Sequence, residues 1–99
     1  MSLLCAPAAV IMSVWLFVGG QMPAPPVVCD STALMTAAHG RPNALAAYWN
    51  ETVYLPTHGY SDATLAPILA HEFCHALGCD EKRAYAMQAF YIKRRGDEK

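Results

Sequence analysis

Apolar positions run unbroken at the front of the chain and become periodic only later. Residues 3–18 are almost purely apolar, the first charged side chain is Asp30, and ten of the fifteen Asp, Glu, Lys and Arg residues lie from Asp80 onward. An apolar run of this length suits the core of a signal peptide better than a membrane span of about 20 residues. Val18, Gly19 and Gly20 offer small residues where a signal peptidase reads, which leaves Gln21 as the expected mature N-terminus. The alternatives are an uncleaved membrane anchor over residues 3–18 and a helix buried in a soluble protein. Residues 21–26 hold Pro23, Pro25 and Pro26, a spacer that cannot continue a helix, so the expected division is 1–20, 21–26 and a domain over 27–99.

Beyond the spacer the pattern becomes that of a small α+β domain. Asp30 or Ser31 can cap a short helix through Ala38 that His39, Gly40, Arg41 and Pro42 bring to an end. Residues 46–49 and 52–56 read as two short strands joined by Asn50 and Glu51, and Pro56, which cannot donate to a ladder, suits an edge strand ending there. A helix over 65–77 follows, with Thr64 as cap and Pro67 in its first turn, where a missing N–H is harmless. After Gly78 a second helix is expected from Asp80 or Glu81 to Arg95, stopped by Gly96, with Ala84, Met87, Phe90 and Tyr91 as its apolar stripe.

The chemistry gathers on the first of those two long helices. His71 and His75 are four apart, so both imidazoles share one face and can chelate a single ion. Glu72 lies about 100° round from His71, placed to work on a water rather than to ligate. Of the candidates for a third ligand, Glu81 is favoured, because a reversal at Gly78 returns the start of the next helix over the imidazoles. Asp80 competes but suits a helix cap. His39 and His58 are the remaining candidates.

On His71, Glu72 and His75 the chain resembles the zincin metallopeptidases, which carry HExxH on a helix that follows an edge strand. The resemblance extends to HExxHxxGxxE. Gly78 and Glu81 stand where the metzincin branch keeps a turn glycine and a third ligand. Glutamate replaces that branch's His or Asp, and no Met-turn follows, since Met87 falls within a helix. The resemblance implies a minimal zincin-like domain whose edge strand precedes the active-site helix. It further implies one Zn2+ ion, a peptide or protein substrate laid along that edge, and peptide-bond hydrolysis by a metal-activated water with Glu72 as general base. His58 and Tyr60, in the loop between strand and helix, are candidate donors to a developing oxyanion.

Composition narrows the rest. A net charge of -1 gives no electrostatic footprint for nucleic acid. Lys93, Arg94 and Arg95 form a basic helix end that can meet acidic lipid if the N-terminus is an anchor. Export to an oxidising compartment, secreted or periplasmic, permits disulfides. Cys5 would leave with the signal and Cys74 falls within the metal helix, so the expected bridge joins Cys29 to Cys79 with Cys74 free. The rival reading from another class is a non-catalytic zinc module closed by Cys29, Cys74, Cys79 and a histidine, or a truncated zincin-like module.

Overall fold

The computed structural model describes residues 5–41 and 43–97, so Leu3, Leu4 and Pro42 of the expected elements lie outside it. Along the chain come α1 (Ala8–Phe17), β1 (Val27–Cys29), α2 (Ser31–Ala37), β2 (Ala47–Trp49), β3 (Thr52–Leu55), α3 (Asp62–Ala76) and α4 (Glu81–Asp97). The result is a small α+β domain with a three-stranded mixed sheet.

The hairpin forms as its residues dictate. Asn50 and Glu51 take φ of 52° and 62°, the paired left-handed conformation of a type I′ turn, which matches the twist of the strands on either side. Trp49 then faces Thr52, Tyr48 faces Val53 and Ala47 faces Tyr54. The expected edge strand is corrected here. β1 pairs in parallel with β3 from Val27↔Val53 to Cys29↔Leu55, so β3 is the central strand and β2 is an edge. Pro56 lies one residue past the ladder and therefore says nothing about which strand is outermost.

Helix α2 is capped by Asp30, whose Oδ1 accepts from the backbone N–H of Thr32 and Ala33 at 2.9 and 3.1 Å. α3 begins three residues earlier than the sequence suggests. Ser61 caps it, accepting from Thr64 N–H, and Pro67 sits inside the helix rather than in its first turn. The missing N–H there leaves the Ala63 carbonyl without its helical partner, at a position that is exposed.

The front of the chain departs most from expectation. α1 packs on α3, with Val14, Trp15 and Val18 buried in the same cluster as Leu65, Leu69 and Phe73. Trp15 meets Phe73 edge to face at 5.2 Å between ring centroids, and its Nε1–H donates to Gln21 O at 2.8 Å. Burial of a side chain such as Phe73 is worth roughly 1.5–3 kcal/mol. Gly20 is read by sequence as a cleavage signal, but in the fold it lies against the Trp15 ring. A Cβ on it would collide with that ring. Residues 5–20 are thus part of the domain core, and the proline spacer does not divide the chain into separate bodies. No described helix is long and apolar enough to cross a membrane.

The disulfides also differ from the expected pairing. Cys5 bonds Cys29 and Cys74 bonds Cys79, with Cα separations of 6.1 and 5.2 Å, so neither the Cys29 to Cys79 bridge nor a free Cys74 is present. The first bond follows from α1 remaining in the core. The second follows from how α3 ends. Cys79 N–H donates to Cys74 O and Gly78 N–H to His75 O, a Schellman motif with Gly78 at φ +98°. That motif brings together the two positions, here Cys74 and Cys79, that an apolar contact usually joins. Two disulfides fit an oxidising environment.

Candidate metal centre

The glycine turn carries the chain from the histidine helix straight into α4. Asp80 caps that helix, accepting from Arg83 N–H at 2.8 Å, and this occupies the carboxylate that competed for the ligand role. Glu81, the first residue of α4, is then turned back over α3. Its Oε1 lies 3.0 Å from His71 Nε2 and 2.6 Å from His75 Nε2.

The far side of each ring is also fixed. His75 Nδ1 donates to Cys79 O at 2.9 Å, and His71 Nδ1 donates to Gln88 Oε1 at 3.0 Å. A carbonyl oxygen can only accept, so in the tautomer that donates from Nδ1 each ring can offer its Nε2 lone pair to an ion. Both Nε2 atoms and a carboxylate oxygen therefore converge on one point, where either a proton or a cation can lie among them. The ligand atoms of His71, His75 and Glu81 all lie within 4.8 Å of one another, so this group can hold a metal ion. Two imidazoles and one carboxylate, with carbonyl acceptors behind the rings, form a donor set of the kind that holds a divalent metal ion.

Glu72 stands beside this group and does not join it. It is 7% exposed, has no hydrogen-bond partner among the described residues, and opens onto a cleft of about 890 Å³ shared with His71, His75 and Glu81. Burial pushes its carboxyl above the ordinary range and the Glu81 charge adds to this, against a downward pull from His71, His75 and Arg41. Glu81 behaves oppositely. Desolvation raises its carboxyl, but the hydrogen bonds from His75 and His71, with their charges, outweigh this and hold it below the usual value.

The loop candidates are elsewhere. His58 is exposed and does not line the cleft. Tyr60 donates its hydroxyl to Leu45 O at 2.8 Å, which secures the segment leading into β2, and burial raises its pKa. His39 lines the outer cleft with its ring 6.4 Å from Trp49, apart from the histidine pair. Gln88 and Tyr85, whose ring meets His71 at 4.5 Å, join the site without being part of the sequence motif. A signal for both exists, since Glu81, Tyr85 and Gln88 are spaced i, i+4, i+7 and so share one face of α4.

The opposite wall of the cleft is the end of α2, the loop after it and β2, with Ala46, Ala47 and Tyr48 facing α3 across the opening. Val53 N–H donates to Pro26 O, on the β1 side, so Tyr48 and Val53 are a non-hydrogen-bonded pair. The N–H and C=O of Tyr48 consequently point to the free edge of the sheet. No protein-family model, curated protein or solved structure matches this chain.

Proposed function

We propose that this chain is a zinc-dependent peptidase in which His71, His75 and Glu81 hold the ion and Glu72 is the general base. The observation that carries the reading is the convergence of both Nε2 atoms on Glu81 while both Nδ1 atoms are committed to carbonyl oxygens. When bound, zinc supplies Lewis acidity, which activates water and polarises a carbonyl near neutral pH. Gln88 and the Cys79 carbonyl keep the two rings aimed. Glu72 is poised in its buried position to take a proton from the attacking water as the water oxygen bonds to the scissile carbonyl carbon. It then returns the proton to the amine nitrogen as the C–N bond breaks. The free edge at Tyr48, rather than the central β3, supplies main-chain hydrogen bonds to an extended substrate. The disulfides favour action after export, with residues 5–20 retained in the fold.

The cysteine-ligated rival loses its ligands, because all four cysteines are in disulfides. The test compares the zinc-loaded protein with Glu72→Gln on a peptide library. The reading expects equal zinc content and a loss of hydrolysis of roughly 10²- to 10⁴-fold. Equal hydrolysis by the two proteins, or none by the zinc-loaded parent, overturns it.

A further inference from the structure

Across the cleft from Glu72 lies Arg41, the one lysine or arginine among the described residues that line it. Its backbone N–H donates to Ala38 O at 3.2 Å and its Nε–H donates to the same oxygen at 3.3 Å, so the side chain is fastened to the end of α2 at its base and at Nε. Among the described residues the two terminal nitrogens of this exposed side chain have no hydrogen-bond partner, and no described carboxylate stands within ion-pair range. Arg41 is nevertheless near enough for its charge to act on Glu72.

A guanidinium used for structure is normally forked onto a carboxylate or a set of carbonyls. One that is anchored by Nε and offers its outer edge to a cleft is prepared to grip a planar anion through two parallel bonds. The opposite wall carries Glu72 and Glu81. With an ion held by Glu81, a ligand carboxylate has two cationic places to go, the ion and the guanidinium, and only the second leaves the ion free for a carbonyl.

We infer that Arg41 is the specificity-determining residue of this site and binds a carboxylate of the substrate, an inference that rests on the peptidase reading for the nature of the ligand. The carboxylate is either an acidic side chain or the free C-terminus of a short peptide, and Arg41 holds it towards the α2 end while the scissile bond faces Glu72. The cleft volume lies within the roughly 300–1,000 Å³ typical of small-ligand sites, which suits a few residues of peptide.

The experiment measures peptide binding to the zinc-loaded Glu72→Gln protein, so that it does not depend on turnover. Matched hexapeptides end in a free acid or an amide and carry Glu or Gln at each position in turn. A charge-assisted pair of this kind predicts roughly tenfold or tighter binding for one carboxylate-bearing set. The acid and amide arms identify the C-terminal source, and the Glu and Gln arms the side-chain source. Adding Arg41→Gln should bring the ratio close to one, and Arg41→Lys should restore only part of it, because an ammonium lacks the fork. A preference that survives in Arg41→Gln would place the carboxylate on the metal and overturn the inference, as would equal binding of acid and neutral peptides or no binding of either. Absent hydrolysis by the parent protein, with an Arg41-dependent preference intact, would instead count against the peptidase reading alone.

Discussion

The carbonyl oxygen of Cys79 accepts the Nδ1–H of His75 at 2.9 Å, while the sulfur of the same residue is bonded to Cys74, one helical position before that histidine. A single residue therefore aims the ring, closes the glycine turn and sets the start of the segment that delivers Glu81. Breaking the bond with Cys74→Ser and Cys79→Ser together keeps the carbonyl but loosens the turn that aims it, so the helices should stay in place and zinc binding should weaken by about tenfold, the low end of what losing the partner behind a ligand costs. Calorimetric zinc titration of both proteins checks this, and unchanged affinity would mean that the turn holds its shape without the disulfide.

Gln88 has the same duty towards His71. Gln88→Leu keeps the volume and removes the acceptor, so zinc affinity should fall by about 10- to 100-fold while the circular-dichroism spectrum stays the same. Competition with a fluorescent chelator is the appropriate measurement, and an affinity equal to the parent's would remove Gln88 from the account.

Glu72 gives a pH signature. Its folded pKa is raised, so its contribution to stability is complete below the unfolded value, near 4.5, and is lost as pH rises through the folded value. Glu72→Gln has no such loss. With metal chelated, the variant should withstand more urea than the parent at pH 7, and the gap should close below about pH 4. A gap of the opposite sign at pH 7 would show that the carboxylate is stabilised where it lies. Glu81 works the other way, since its lowered carboxyl adds stability above its unfolded value that is lost as pH falls through the folded one.

Trp15 tests the place of the first helix. Its ring packs on Phe73 and is covered by Gly20, so Trp15→Ala should cost about 3–5 kcal/mol in urea unfolding. A cost below about 0.5 kcal/mol would fit an appendage that the domain does not need.

Local signals carried the sequence a long way, and non-local ones did not. Asn50, the i, i+4 histidines and the Gly78 turn each act through their neighbours, and the hairpin, the histidine helix and the position of Glu81 were legible from them. β1 was not, because Val27, Val28 and Cys29 are three residues whose strand state depends on a parallel partner some twenty-five positions away. The role of residues 5–20 was hidden for a related reason. An uncharged apolar run reads the same whether it faces lipid, a signal peptidase or α3, and its contact with Phe73 is not written in its own residues. Cys74 was misread because its helical position hid the closure that a Schellman turn makes between its ends.

If His71, His75 and Glu81 together hold zinc, X-ray absorption at the zinc edge of the loaded protein should show one zinc per chain with nitrogen and oxygen ligands only, at about 2.0–2.2 Å, and the scattering pattern of two imidazoles. Sulfur at about 2.3 Å, or a shell without imidazole, would contradict it.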